Sequence, residues 1–288
     1  MKRVSIIFIT VLLMFVFVFS ISASADMGPK PSLHIFVTGT DSEPYYLDLL
    51  LEGNGEYHSN IHDEESKYNS TMLNTLKSHN EAGWHTGIVQ GTGGAPLFGD
   101  IVPSSDNSFS FGYFGVPGVG RQYKIIMVFS DGSYAVSDVL TRQIYQEEIT
   151  IKYDKTSNSI TVTKTQSKLL MFIKQFLPTL AGTLIIEVLL LLLFRIPIKE
   201  NIVLVLIVNF VTNLGLNLVM FFSKISSGTL AAIFWFISLE IAILIAELII
   251  YAVFLKSKSK GRSILYAITA NVLSAVAGYL IMLIPGVL

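Results

Sequence analysis

The chain contains no cysteine. Disulfides, thiolate metal sites and cysteine nucleophiles are therefore excluded, and the redox compartment is left open. Histidine is nearly as scarce, with five residues and none after His85, so the C-terminal region cannot assemble a metal centre of the usual His/Glu kind. Charge is sparse too, at 14% of residues with a formal net charge of −1. No basic surface exists to drive the counterion release on which nucleic-acid binding depends, and nucleic acid is excluded as a partner. The four long apolar runs after residue 175 hold no Asp, Lys or Arg, and their glutamates form no adjacent Glu-Glu pair. Intramembrane aspartyl or metalloprotease chemistry has no residues to use there.

What is present is 51% hydrophobic residues, concentrated at 4–19 and 176–284, while 26–168 reads as ordinary polar globular sequence. Residues 1–25 have the parts of a secretory signal. Lys2 and Arg3 form the basic end, Val4 to Phe19 the apolar run, and Ala23-Ser24-Ala25 a small-x-small cleavage site. An uncleaved anchor of the same orientation is the alternative, and in both cases the chain beyond Asp26 is exported.

Four spans are delimited, at about 176–194, 202–222, 230–255 and 264–284. Each is long enough for a ~30 Å hydrocarbon core at about 1.5 Å per residue. Arg195 and Lys199 lie between the first two spans, and Lys256, Lys258, Lys260 and Arg262 between the last two. The loop at 223–229 has only Lys224. By the positive-inside rule the first and third loops are cytoplasmic, which leaves 26–168 outside the plasma membrane. Lys164, Lys168 and Lys174 on the outer side oppose this weakly.

Glu187, Asn209, Thr212, Asn213, Asn217, Glu240, Glu247 and Asn271 interrupt these spans. A charged side chain in hydrocarbon costs at least about 2.5–3.5 kcal/mol, so each needs a partner or a purpose. With the helix directions set, Glu187, Asn209, Glu247 and Asn271 fall roughly 3–7 Å to the cytoplasmic side of their helix midpoints, one from each helix in nearly one layer. Asn209, Asn213 and Asn217 repeat at i, i+4, i+8 beside Thr212, and Glu240 and Glu247 share a face. Ala270, Ser274 and Gly278 form a small-residue face suited to close helix approach. The expected assembly is a four-helix bundle with its polar stripes turned inward. Two uses of that interior stand open. One is interhelical glue made by neutral glutamic acids and amides, at about 0.6–2 kcal/mol per bond. The other is a cation or proton site built from hard oxygen ligands.

Residues 26–168 carry β-signals: Leu33 to Thr38, Tyr45 to Leu51, and alternating Phe109, Phe111 and Tyr113. Tyr123–Phe129 and Tyr134–Leu140 flank Ser130-Asp131-Gly132-Ser133, read as a hairpin with a two-residue Asp-Gly turn. A second hairpin joins Ile149–Tyr153 to Ile160–Thr163. Residues 64–82 suit a helix or loop with Met72, Leu73 and Leu76 as its apolar contacts. The expected fold is a β-rich, sandwich-like extracytoplasmic domain. Candidate chemistry is thin. His58 and His62 with Asp63, Glu64 and Glu65 could share a metal on a helix, but their Asn- and Ser-rich surroundings read as a solvated loop. Gly87, Gly91, Gly93, Gly94 and Gly99 lack a phosphate-binding context and read as turns, as does Gly115–Gly120. Trp84 and His85 could stack on a sugar ring, although a buried core tryptophan is the simpler reading.

Several segments resemble an uncharacterised family of Gram-positive bacterial membrane proteins. They are Gly28-Pro29-Lys30-Pro31-Ser32, Tyr45-Tyr46-Leu47-Asp48-Leu49-Leu50, and Phe111-Gly112-Tyr113-Phe114. In the spans they are Asn209-x-x-Thr212-Asn213-x-x-x-Asn217, Glu240-x6-Glu247-x3-Tyr251 and Asn271. The resemblance implies the same architecture and no particular activity.

The sequence thus predicts a signal at 1–25, an exported domain at 26–168 and a membrane bundle at 169–288. It assigns no catalytic residue, metal or cofactor. Membrane lipid surrounds the bundle, and a second copy or an envelope protein is the partner it could take. The function expected is non-enzymatic, with an exported domain that binds a ligand or partner. A small transporter or ion- or proton-conducting protein is the alternative.

Overall fold

The computed structural model describes residues 30–40, 43–53, 59–61, 63–92, 96–112 and 122–284. The predicted signal at 1–25, His58, His62, Tyr113, Gly93, Gly94 and the loop at 115–120 lie outside the described residues. The chain divides into two compact units, Pro29–Gln166 and a second that contains Ser167–Leu288.

The first unit is a two-layer β-sandwich. One sheet has the order β4-β1-β8-β9, from strands Ser108–Gly112, Ser32–Thr38, Gln146–Asp154 and Ser159–Thr165. β1 runs antiparallel to β4 but parallel to β8, with Ile35 opposite Ile149. The other sheet has the order β3-β2-β5-β6, from Trp84–Thr86, Tyr45–Glu52, Gln122–Phe129 and Tyr134–Val136, while β7 (Leu140–Thr141) also pairs with β5. Leu33, Ile35 and Val37 alternate inward along β1, as do Ile149, Ile151 and Tyr153 along β8. The period of two puts their apolar atoms on one face, against Tyr45, Leu47 and Leu49 of the second sheet. Aromatic rings bridge the layers, with Phe129 4.6 Å from Tyr153 and Tyr45 5.9 Å from Phe109.

β2 is buried on both faces as far as Leu51. Helix α1 (Ser70–Ser78) covers its outer side with Met72, Leu73 and Leu76, as the sequence predicted. Asn69 caps α1 by accepting from Met72 N, and its own N–H donates to Tyr46 Oη at 2.7 Å. The outward residue beside Tyr46 and Leu50 is Asp48, which is fully buried. Its carboxylate accepts from the backbone N–H groups of Leu49, Ile88 and Val89 at 2.7–3.2 Å. Burial pushes this carboxyl up to about 7, against the downward pull of the same N–H donors.

The first hairpin departs from the expected geometry. Phe129 N donates to Ser133 O, so three residues rather than two form the loop. Only Gly132 takes a positive φ, at 85°, which is the pattern of a three-residue hairpin rather than a two-residue turn with both centres inverted. The predicted strand Tyr134–Leu140 also splits, because Ser137 Oγ enters the ladder and accepts from Ile125 N at 2.9 Å. The second hairpin forms as predicted, with a bulge between Thr150 and Ile151. Trp84 is only partly buried, packing against the sandwich core from edge strand β3, with Lys124 Nζ 4.8 Å above its ring.

The second unit is four helices long and apolar enough to cross a membrane: α2 (Lys168–Leu193), α3 (Ile198–Ser227), α4 (Thr229–Phe254) and α5 (Lys260–Met282). Each packs on its neighbours in a closed ring, α2 against α3 and α5, and α4 against the same two. The distribution of polarity is inverted relative to a water-soluble bundle. Leu193, Val203, Ile207 and Ile241 face outward, while Gln175, Glu187, Asn209 and Glu247 are buried. Soluble domains bury the first kind and expose the second. A membrane protein does the reverse, because its outer surface meets hydrocarbon and its polar groups must find one another.

The helices outrun the predicted spans. α2 begins eight residues early (168 against 176), where Ser167 caps it by accepting from Leu170 N. The expected loop at 223–229 is helical through Ser227, and Gly228 alone, at φ 89°, turns the chain into α4. Local capping sets these ends, whereas hydropathy sees only the lipid-facing middle. Between α2 and α3, Ile196 N closes a bond to Leu191 O around Arg195, whose φ is 52°, a Schellman-type stop. Asn201 then ties this corner to the α4–α5 connection, donating to Lys256 O at 3.0 Å and accepting from Lys256 N at 2.7 Å. The two basic loops thereby meet at one end of the bundle.

Candidate functional site

Glu187 and Glu247 are each at most 2% exposed within the bundle. Glu187, on α2, accepts through Oε2 from Tyr266 Oη of α5 at 2.9 Å and from Tyr251 Oη of α4 at 3.0 Å. Tyr251 Oη in turn accepts from Asn209 Nδ2 of α3 at 3.1 Å. One polar chain therefore touches all four helices. Glu247, on α4, lies between α3 and α5, with Thr212 Oγ1 at 2.9 Å from its Oε1 and Asn271 Nδ2 at 3.0 Å from its Oε2. The four residues assigned to one layer by depth do lie among these bonds, with Tyr251 bonded to both Glu187 and Asn209.

The hydroxyl of Thr212 carries one hydrogen and faces three acceptors, Val208 O at 3.0 Å, Asn209 O at 3.3 Å and Glu247 Oε1 at 2.9 Å. That hydrogen is shared between the helix carbonyls and Glu247 Oε1. Asn271 Nδ2 donates to Oε2. Both carboxyl oxygens of Glu247 thus have a partner on a neighbouring helix.

Other predicted members lie apart. Asn217 pairs with Thr179 and Gln175 of α2 at 3.1–3.4 Å, a separate cluster. The Asn213 side chain is buried but makes no hydrogen bond to a described residue. Glu240 shares a face with Glu247 yet is half-buried, and no described residue bonds to it. Two helical turns along α4 carry it beyond the reach of Thr212 and Asn271. The small-residue face behaves as expected, with Gly278 against the ring of Phe236. Among the described residues, no three His, Asp or Glu side chains gather into a metal-binding set.

No protein-family model, curated protein or solved structure matches this chain. Its own geometry is what speaks to its role.

Sequence reasoning missed Tyr251 and Tyr266 as partners of the glutamates, and Gln175 and Thr179 as partners of Asn217. Tyr251 stands four residues after Glu247 in the quoted motif, a spacing that places both on one face. Tyr266 had no such signal, since tyrosine near a span end ordinarily marks the lipid–water interface. Among the described residues, Glu187 Oε1 is buried and without a hydrogen-bond partner.

Proposed function

We propose that this chain is a non-enzymatic integral membrane protein of the cell envelope. Its β-sandwich is carried outside the plasma membrane as a ligand- or partner-binding domain, and α2–α5 form a polar-locked anchor. The observation that carries this reading is the destination of the glutamate bonds. Every bond made by the Glu187 and Glu247 carboxyls goes to a side chain of a neighbouring helix, the pattern of glue rather than of an open path. The gathering of Arg195, Lys199, Lys256, Lys258, Lys260 and Arg262 around the corner tied by Asn201 supports the orientation, because basic loops stay in the cytoplasm.

A second reading, a proton- or cation-conducting protein, is favoured by Glu187 Oε1, a buried oxygen with a free acceptor position. Flux measured in proteoliposomes separates the two. The anchor reading expects no pH- or cation-driven flux in the native chain, and the unfolding midpoint to be kept in Glu187→Gln and Glu247→Gln. Flux in the native chain that collapses in either variant overturns it.

A further inference from the structure

The β-sandwich unit has an open cleft of about 510 Å3 at the end of α1 and the edge strand β3, whose lining includes Lys77, His79, Glu81, Trp84, His85 and Gln90. Two imidazoles in its wall carry unsatisfied nitrogens. Nε2 of His79 and Nε2 of His85 are both buried and have no hydrogen-bond partner among the described residues. The His79 side chain is only 7% exposed, and its Nε2 stops 3.8 Å short of Glu81 Oε2. Nδ1 of His85 lies 3.2 Å from Gly53 O. A carbonyl only accepts, so Nδ1 holds the hydrogen and Nε2 presents a lone pair. A buried acceptor left empty is unfavourable, and a ligand hydroxyl would fill it.

The charges of the wall cancel locally. Lys77 pairs with Glu65 at 2.6 Å, and Lys124 pairs with Glu81 while lying over the Trp84 ring. Burial holds the His79 imidazole below its ordinary value, so it stays neutral near pH 7. The wall is also rigid, because Gln90 donates to Lys77 O and His79 O and accepts from Thr86 N, all at 2.9 Å. A metal ion fits badly, since the histidines and Glu81 do not form a three-ligand group. A polar cleft without net charge, holding an aromatic ring and hydrogen-bonding groups of both kinds, matches a molecule with many hydroxyls and an apolar face.

We propose that this cleft binds a neutral saccharide, one ring seated against Trp84 with its hydroxyls bonded by His79, Glu81 and His85. The proposal names the ligand class of the outer domain and rests on reading that domain as the binding module. Trp235 lies in α4, so a Trp235→Phe chain reports from Trp84 alone. The full-length protein in detergent is titrated with maltotetraose and with tetra-N-acetylchitotetraose while Trp84 emission is followed. A saturable change with at least one of them is expected, weakened about tenfold by His85→Ala and by His79→Ala, a loss of one good polar contact. Calorimetry on Trp84→Ala should show at least the same loss. Should these variants fold poorly, a sugar-induced rise in the unfolding midpoint of the Trp235→Phe chain carries the test. No saturable response to either sugar up to about 10 mM, the weak end of the affinity scale, overturns the proposal. So does binding untouched by the histidine and tryptophan variants, or a saturable response to Zn2+ alone. Failure of the anchor reading shows separately, as flux in proteoliposomes.

Discussion

Tyr251 donates to Glu187 at 3.0 Å and, through the same oxygen, accepts from Asn209 at 3.1 Å. A single hydroxyl on α4 thereby joins α2 to α3. Tyr266 reaches the same Glu187 oxygen from α5 but links only two helices. Tyr251→Phe should therefore destabilise the bundle by about 1–3 kcal/mol, and Tyr266→Phe by less. Reversible unfolding in mixed micelles measures both, and equal costs would contradict the bridging role of Tyr251.

Glu247 and Glu240 should respond differently to substitution. Glu247→Gln keeps hydrogen-bonding capacity toward both Thr212 and Asn271 and should stay within about 0.5 kcal/mol of the native chain. Glu247→Ala removes both interhelical bonds, leaving Thr212 and Asn271 only the bonds to their own helices, and should cost about 2 kcal/mol or more. Glu240 bonds to no described residue, so Glu240→Leu should leave stability unchanged or raise it. The same unfolding assay ranks the three, and a severe loss in Glu240→Leu would refute its separation from the network.

Asp48 should make the sandwich domain pH-sensitive. Its carboxyl sits at about 7 when folded against an ordinary value of 3.8, so between those values the folded state holds a proton that the unfolded chain has released. Its contribution to stability is complete below about pH 4, falls as pH rises through 7, and then levels. Asp48→Asn should lower stability at every pH by turning an amide N–H toward a backbone N–H, and should flatten the dependence. Denaturant midpoints of the full chain from pH 4 to 8 provide the comparison; parallel curves for the two chains would dismiss Asp48 as the source.

Gly39 takes a φ of 84° at the end of β1, and a Cβ there would lie 2.3 Å from Tyr153 O, a backbone atom that cannot swing aside. Gly39→Ala should cost more than about 1 kcal/mol, the usual penalty for a left-handed residue. Gly53→Ala has a positive φ but open space and should cost less. Thermal unfolding of the two variants measures the difference.

The readable and unreadable parts of this molecule divide by range of interaction. Strands such as Leu33–Thr38 and the helix under Met72, Leu73 and Leu76 show in the alternation and spacing of neighbouring side chains. The partition into sheets does not, because β1 pairs with β4 and β8 rather than with the adjacent β2. Within the bundle, Glu187 and Glu247 stand out because a carboxyl in an apolar run is conspicuous by its cost. Tyr251 and Tyr266 do not, since a tyrosine is unremarkable until its hydroxyl is seen to have a partner.

Hydropathy alone settled that four helices of this chain can cross a membrane, since apolar length is a local property and lipid tolerates little else. Tertiary structure alone decided which polar groups meet. It set Glu187 between two tyrosines, Glu247 between Thr212 and Asn271, and Glu240 outside both sets. Helix rotation and the pairing of distant segments bring such groups within 3 Å, and hydrogen bonds depend on that distance and direction rather than on position along the chain.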